Sequence, residues 1–323
     1  MRRIVIPGGT GCVGRVLVRH FQEMGDHVTV LSRNPAGVPW RVFWNGSDLG
    51  AWAKVLDGAD VVINLAGRSV DCRYNQANRR EIVDSRVEST RAIGRAIAQA
   101  QRPPAVWINA STATIYRHAL DRAMDESTGE IGGYEMDAKP TWKFSIEVAT
   151  AWERAFSESI TPRTRKVATR SAIVMIPGSS WLGKLTGLMR WGLGGTEGPG
   201  TQYMSWIHPT DYIRAIEFLI SHAEFEGAVN VCSPNPLPNR EFLRVLRQEA
   251  GSWIAPPLPE WTLRLGSLLL RTEAELVLKS RRVVPRRLLE GGFEFMFPSW
   301  PDAARDLVGG PQRFERSVFA SIR

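Results

Sequence analysis

Three glycines at three-residue spacing follow the first apolar segment of the chain. The segment 3–7 has the composition of a short buried strand, and Gly8, Gly11 and Gly14 follow it within the sequence GGTGCVG, just before an amphipathic stretch at 14–24. Glycine permits a tight turn and lets the backbone approach a pyrophosphate, which then lies at the positive end of a helix. The pattern predicts a dinucleotide-binding turn formed by Gly8, Thr10, Gly11, Cys12, Val13 and Gly14.

The rest of the first half alternates short apolar segments with longer helical ones. This alternation is typical of βαβ units and predicts an α/β fold with a doubly wound, parallel Rossmann sheet. We expect further strands at 27–31, 42–44, 60–65, 105–110 and 166–175, and long helices at 81–100 and 144–157.

A change of composition after about residue 177 predicts a second lobe. Residues 178–200 are rich in glycine with interspersed Trp and Met, which favours a loop or lid containing one helix. Residues 206–221 and 227–232 return to strand and helix patterns, 234–238 form a proline-rich joint, and helical patterns dominate from 239 onward. We therefore predict a Rossmann domain of residues 1–176, to which 204–233 return, and a smaller, mainly helical substrate lobe of residues 177–203 and 234–323.

The end of the second strand predicts which dinucleotide binds. An Asp or Glu at this position accepts a hydrogen bond from the ribose 2′-OH of NAD, but this strand ends in Leu31, Ser32 and Arg33. A guanidinium pairs well with a 2′-phosphate, and Ser32 can add a hydrogen bond. We expect NADP(H) as the cofactor, bound about tenfold more tightly than NAD(H), a difference of about 1.4 kcal/mol. The alternative is that Arg33 is an ordinary solvated side chain.

Charge and cysteine content limit the other classes of partner. The net charge of +8 comes mainly from arginines scattered through the chain, and no zinc-finger, RNA-recognition or helix-turn-helix signature accompanies them. We expect solvated helix faces and a few phosphate ligands rather than a nucleic-acid site.

No apolar run approaches the ~20 residues of a membrane helix, and no secretory signal precedes the first strand. Three widely separated cysteines predict neither disulfide nor metal site, and a cytoplasmic location. The densest basic cluster is Arg281, Arg282, Arg286 and Arg287.

Three further motifs resemble those of the extended short-chain dehydrogenase/reductase (SDR) superfamily, the group of sugar-nucleotide epimerases and dehydratases. They are NLAG at 64–67, STATIY at 111–116 and WIHPTD at 206–211. RWGLGG at 190–195, NVCSP at 230–234 and VPRRLL at 284–289 narrow the resemblance to a branch with a C-terminal domain of unknown function. The resemblance implies NADP(H) binding with Leu65, Ala66 and Gly67 on the adenine side, and a catalytic Ser or Thr in STATIY. Ala110, Arg170 and Ser171 complete the predicted cofactor-binding set.

The catalytic dyad of that superfamily is absent from this sequence. Extended SDR enzymes use Tyr-x-x-x-Lys on one helix face, where the lysine lowers the pKa of the phenol so that it can exchange a proton near neutrality. Aligned on the following 151–153, the two positions hold Ser145 and Ala149. Tyr134 and Lys139 are one residue too far apart, and Pro140 would disturb a helix through them.

Several other side chains are candidates for the missing chemistry. Tyr116, Ser111 and Thr112 lie on the turn after the fifth strand, where the nicotinamide is expected. Tyr116 can donate a proton to a carbonyl oxygen with Thr112 as its hydrogen-bond partner, or it can line a pocket. Lys143 and Glu147 share a helix face, although a surface ion pair is the plainer interpretation. The WIHPTD motif allows two interpretations. His208 can be catalytic, or it can be a buried, hydrogen-bonded residue that orients its neighbours while Asp211 caps the next helix. A set of aromatic and Met side chains predicts either an apolar wall over the nicotinamide or ordinary packing inside the second lobe. These residues are Trp181, Met189, Trp191, Tyr203, Met204 and Trp206.

Two functional hypotheses follow from these residues. The first is an NADP(H)-dependent oxidoreductase or epimerase acting on a small carbonyl or hydroxyl substrate. The second is a non-catalytic NADP(H)-binding sensor or regulatory protein, favoured by the missing dyad. A nucleic-acid-binding protein is a third hypothesis that rests on charge alone. We expect a monomer or a homodimer; a dimer would pair through the helices at 81–100 and 144–157.

Overall fold

The structure is a computed structural model that describes residues 1–136, 138–190, 195, 198–251 and 278–309. The strands within these residues are β1 (Arg3–Pro7), β2 (His27–Ser32), β3 (Arg41–Phe43), β4 (Val61–Asn64), β5 (Val106–Thr112), β6 (Arg165–Ser171), β7 (Ile173–Val174), β8 (Tyr203–Met204), β9 (Trp206–Ile207), β10 (Gly227–Val231) and β11 (Leu237–Pro238). The helices are α1 (Cys12–Glu23), α2 (Gln76–Gln99), α3 (Pro140–Ser157), α4 (Ser180–Arg190), α5 (Pro209–Ser221), α6 (Asn239–Glu249), α7 (Arg286–Glu290) and α8 (Trp300–Val308).

Seven of these strands form one sheet in the order β3-β2-β1-β4-β5-β6-β10. The pairs β1–β2, β1–β4, β2–β3 and β4–β5 are parallel. All four residues of β4 are buried, as expected for a strand covered on both faces. The predicted doubly wound sheet is thereby confirmed, and the strand order reverses between β1 and β4, where such sheets bind ligands beyond their carboxyl ends.

The chain forms two compact units. The first comprises Met1–Ile115, Ser145–Arg170 and Ile216–Val229, and the second Tyr116–Phe144, Ser171–Ala215 and Asn230–Arg323. In the first unit Trp44, Trp52, Trp107 and Phe156 are the large side chains of the buried core. The Trp107 ring meets Phe156 edge to face, with ring centroids 4.6 Å apart.

The second unit contains two short sheets and its own core. Strand β7 pairs with β9 in parallel, and β8 pairs with β11 in antiparallel register. Trp206, Phe242 and Trp300 are buried together, and the Phe242 and Trp300 rings stack with centroids 3.9 Å apart. The Trp300 indole N–H donates to the Phe242 carbonyl at 2.9 Å, so the buried ring leaves this polar group satisfied.

The two units divide the chain differently from the predicted lobes, because residues 116–144 belong to the second unit. Long-range hydrogen bonds explain this membership. The Met124 amide donates to the Arg282 carbonyl at 2.7 Å, and the Ser280 amide donates to Nδ1 of His118 at 3.1 Å. These partners are far apart in the sequence, so their pairing leaves no local pattern by which a sequence analysis could detect it.

Two findings on the described residues concern membranes and metals. None of their helices has the combined length and apolar character needed to cross a bilayer. Their His, Cys, Asp and Glu side chains form no group of three or more arranged to hold a metal ion.

Candidate cofactor-binding and active site

The glycine turn after β1 requires glycine at two positions for steric reasons. Gly8 has φ = +77°, and a Cβ atom there would lie 2.7 Å from the carbonyl of Leu65. A Cβ atom on Gly14 would lie 2.6 Å from Cα of Gly9. The turn is therefore packed against both the segment after β4 and the start of α1, as a dinucleotide-binding turn requires.

The amino-terminal end of α1 is open for an anion. The helix is capped by Gly11, which offers no side-chain acceptor, and its first turn contains no acidic residue. Thr10, Gly11 and Cys12 are exposed, while Val13 is half-buried. The backbone N–H groups of this turn and the helix dipole therefore remain available to phosphate oxygens.

Ser32 and Arg33 lie at the carboxyl end of β2 in different local environments. The Ser32 hydroxyl donates to the Asn34 carbonyl at 3.2 Å and accepts from the Asn34 amide, which fixes the turn. Arg33 is exposed and forms no ion pair with any residue that the structure describes. Its guanidinium is thus free to pair with a 2′-phosphate, as the sequence predicts.

A buried polar network holds the segment Leu65, Ala66 and Gly67 after β4. The Asn64 amide donates to Oδ1 of Asn109 at 2.7 Å, and Oδ1 of Asn64 accepts from the Ala66 amide at 3.1 Å. Both asparagines are buried, so their hydrogen bonds are costly to break. The NLAG motif predicts this segment, whereas Asn109 carries no motif of its own by which the sequence could indicate it.

A second cluster joins β5, α3 and β6 through Glu153. The Ser111 hydroxyl donates to Glu153 at 2.5 Å, and Arg170 donates to both oxygens of the same carboxylate at 2.9 and 2.8 Å. The predicted residues Ser111 and Arg170 are therefore brought together by a carboxylate that the sequence analysis did not single out. Thr112, the next residue, is half-buried, and its hydroxyl accepts from the Thr114 amide at 3.2 Å.

Two more residues of the predicted cofactor set have identified neighbours. The Ala110 carbonyl accepts from the Asn109 side chain at 2.9 Å. Ser171 is half-buried and hydrogen-bonded to Tyr212, whose pKa is raised to about 12 by burial. Cofactor contacts of Ala110, Arg170 and Ser171 stay predictions.

Tyr116 lies in the second unit, and its hydroxyl is engaged in a buried hydrogen bond. The phenol donates to Oδ1 of Asn230 at 2.9 Å, and the side-chain amide of Asn230 donates to the Val284 carbonyl at 3.0 Å. Only 2% of Tyr116 is exposed. Proton donation from Tyr116 to a substrate would require this hydrogen bond to break, so the geometry favours the alternative of a packed aromatic residue.

Helix α3 carries the positions where the SDR dyad would lie. Ser145 is half-buried and Ala149 is fully buried, and neither side chain titrates near neutrality. Lys143 and Glu147 are both exposed on this helix.

His208 and Asp211 have the surroundings of structural residues. His208 is fully buried, with Nδ1 accepting from the Thr210 amide and Nε2 lying 3.2 Å from Asp306. Asp211 does not cap α5; its carboxylate accepts from the Met296 and Phe297 amides at 2.8 and 2.9 Å. Burial raises the pKa of this carboxyl, and the two amides partly offset that effect. The expectation of helix capping was wrong because the acceptor oxygens face another backbone segment of the second unit.

Three of the six residues of the proposed apolar wall lie in the core of the second unit. Met189, Met204 and Trp206 are buried there, which favours lobe packing over a wall on the nicotinamide. Tyr203 is half-buried under the Arg282 guanidinium, whose carbon lies 4.4 Å from the ring centroid. The side chain of Trp181 and all of Trp191 lie outside the described residues.

Comparison with known proteins decides the family. Residues 4–145 match the NAD dependent epimerase/dehydratase family, and residues 258–307 match a domain of unknown function, DUF1731. The epimerase family protein SDR39U1 of Bos taurus is 31% identical over 310 residues, which cover 95% of this chain and 99% of that protein. The chain belongs to the NAD-dependent epimerase/dehydratase family.

Two further relatives show how far the likeness extends. The epimerase family protein YfhF of Bacillus subtilis is 29% identical, with 94% of this chain and 97% of that protein covered. The crystal structure of human SDR39U1 with NADPH is similar with a TM-score of 0.82 and 29% identity, covering 95% of this chain and 99% of that one. The likeness thus includes the C-terminal region as well as the dinucleotide-binding half.

Proposed function

We propose that this protein binds NADP(H) at the glycine turn after β1. The observation that carries the proposal is the combination of two features. Glycine is sterically required at Gly8 and Gly14, and an exposed Arg33, which forms no ion pair with the described residues, stands where an NAD-binding protein has an acid. NADPH in the structure of the human relative supports the same choice. Leu65, Ala66 and Gly67 would line the adenine side.

We further propose an SDR-type oxidoreductase or epimerase that acts on a small carbonyl or hydroxyl substrate. The bound cofactor supplies or accepts a hydride in such chemistry. The half-buried hydroxyl of Thr112 is the better candidate for bonding a substrate oxygen, since those of Ser111 and Tyr116 already donate to Glu153 and Asn230.

A second candidate function, a non-catalytic NADP(H) sensor, is favoured by two specific observations. Ser145 and Ala149 occupy the dyad positions, and the phenol of Tyr116 is bound to Asn230. A sensor needs the cofactor site but no group that exchanges protons with a substrate.

The experiment that separates these functions follows NADPH oxidation with a panel of aldehydes and ketones, after NADPH binding has been measured by calorimetry. An oxidoreductase oxidises NADPH with at least one panel member, whereas an epimerase regenerates its cofactor and is detected by NMR as inversion of a hydroxyl-bearing carbon in a panel of sugar nucleotides. Thr112→Val should reduce either activity at least about tenfold by removing a hydrogen bond to the reacting oxygen. Thr114→Val is the matched control and retains activity. Tight NADPH binding with neither activity supports the sensor, and no NADPH binding overturns both.

We propose a cytoplasmic protein, monomeric or homodimeric, with a small molecule as its partner. The free thiols of Cys12, Cys72 and Cys232 support a reducing compartment. Sedimentation of the purified chain with and without NADPH measures the oligomeric state.

A further inference from the structure

Arg86 on α2 is a half-buried arginine without an acidic partner in the described part of the chain. One nitrogen of its guanidinium, Nη1, donates to the carbonyls of Arg68 and Ile82, both at 3.0 Å. The neighbouring Arg68, by contrast, is paired with the carboxylate of Glu81. A guanidinium that is partly withdrawn from water is stabilised by a counter-charge, so the lack of one among the described residues leaves Arg86 able to bind an anion.

The other edge of the Arg86 guanidinium is open. A guanidinium has five N–H groups, and the two bonds from Nη1 leave Nε and Nη2 without acceptors among the residues that the structure describes. Neither atom is among the fully buried polar atoms that lack a partner, so solvent reaches this edge. The Nε–Nη2 edge has the fork geometry that binds two oxygens of a carboxylate or phosphate.

The position of Arg86 connects it with the site described above. A Cβ atom on Gly67 would lie 3.3 Å from Cζ of Arg86, so the guanidinium packs directly against the cofactor-lining segment. Its Cζ also lies 5.1 Å from the ring centroid of Trp152 on α3. Trp152 is one helical turn after Ala149, the position where the lysine of the SDR dyad is missing.

We propose that Arg86 binds a carboxylate or phosphate group of the substrate. The inference rests on the proposed function, because it assumes a substrate beside the cofactor. In the proposed cofactor site the phosphates would be bound by the α1 N-terminus and Arg33, although Gly67 lies on the adenine side. Ser145 and Ala149 offer no positive charge to a substrate beside α3, where Arg86 lies over Trp152. Burial lowers the pKa of Arg86 to about 10, so the group is still charged at neutral pH and gains from an anionic partner.

The test uses malonate and inorganic phosphate as probes, titrated by calorimetry into the NADPH-saturated protein. The variants are Arg86→Gln, Arg86→Lys and, as a matched control, Arg80→Gln, which removes an exposed arginine from the same helix. We expect the wild type and Arg80→Gln to bind one of the probes. Arg86→Gln should raise its Kd at least about tenfold, the loss expected for a charge-assisted hydrogen bond. Arg86→Lys should fall between them because it keeps the charge but not the fork.

The affinity for NADPH, measured in the same series, separates this inference from the proposed function. We expect the Kd of NADPH to change less than about threefold in Arg86→Gln. This change is well below the factor of at least about ten expected when one charge-assisted hydrogen bond is lost. An equal loss of NADPH and probe affinity would assign the guanidinium to the cofactor and overturn the inference. It is also overturned if neither probe binds the wild type, or if Arg86→Lys binds as tightly as the wild type. If Arg86→Gln does not fold, Arg86→Lys alone decides.

Discussion

Replacing Arg33 should change the cofactor preference without changing the fold. Arg33 is exposed and makes no ion pair with the described residues, so its removal leaves no buried charge unpaired. An exposed ion pair contributes about 0.2–1 kcal/mol, and a hydrogen bond to a charged group about 1.5–3 kcal/mol. The interaction of an exposed guanidinium with a 2′-phosphate should contribute a free energy between these two ranges. We take about 1.4 kcal/mol, which corresponds to a tenfold change in Kd.

The assay is calorimetric titration of NADPH and NADH into the wild type, Arg33→Ala and Arg33→Asp. We expect Arg33→Ala to raise the Kd of NADPH about tenfold and to leave that of NADH unchanged, so NADH serves as the internal control. Arg33→Asp should weaken NADPH further through like-charge repulsion and strengthen NADH by accepting from the ribose 2′-OH. Equal affinities of the wild type for both cofactors, or an equal loss of both in Arg33→Ala, would refute the assignment.

Three further predictions concern the glycine turn, an ion pair and the cysteines. Gly14→Ala should abolish the binding of both cofactors and lower the free energy of unfolding by about 1–3 kcal/mol, because the added Cβ atom would overlap backbone atoms. The control is Gly187→Ala, in a helix and with no described atom within 4 Å of the added Cβ. This variant should raise the free energy of unfolding by about 0.5–1 kcal/mol. Asp26→Asn should cost about 1–2 kcal/mol at neutral pH in denaturant unfolding. Burial alone would raise the pKa of Asp26, but the hydrogen bonds and charge of Arg2 lower it from 3.8, so this contribution is present above that pH and is lost as the pH falls through the lowered pKa. Alkylation followed by mass spectrometry should label the exposed Cys12, with protection by NADPH, and should spare Cys232, whose pKa burial raises well above its usual value. A stable, binding-competent Gly14→Ala, a pH-independent effect of Asp26→Asn, or labelling of Cys12 that ignores NADPH would each contradict the corresponding reasoning.

The features predictable from the sequence are those whose causes are local. The turn at Gly8 to Gly14 was identified because a strand, a glycine spacing and a helix follow one another directly. The strand pattern likewise predicts the sheet, since segments such as 61–63 are apolar without interruption and lie buried in a strand covered on both faces.

The features that the sequence analysis missed depend on contacts between distant residues. Glu153 is 42 residues from its partner Ser111, and Asn64 is 45 residues from Asn109. Neither Glu153 nor Asn109 stands in a pattern that distinguishes it from a surface carboxylate or a turn asparagine. The membership of residues 116–144 in the second unit depends on distant contacts of the same kind, since His118 is hydrogen-bonded to Ser280, 162 residues away.

A crystal structure of this protein with NADP⁺ bound tests the central proposal most directly. We expect the pyrophosphate oxygens to accept hydrogen bonds from the backbone N–H groups of Cys12 and Val13, and the 2′-phosphate to lie within hydrogen-bonding distance of Arg33. A 2′-phosphate pointing away from Arg33, or a cofactor bound elsewhere than at the Gly8–Gly14 turn, would contradict the account.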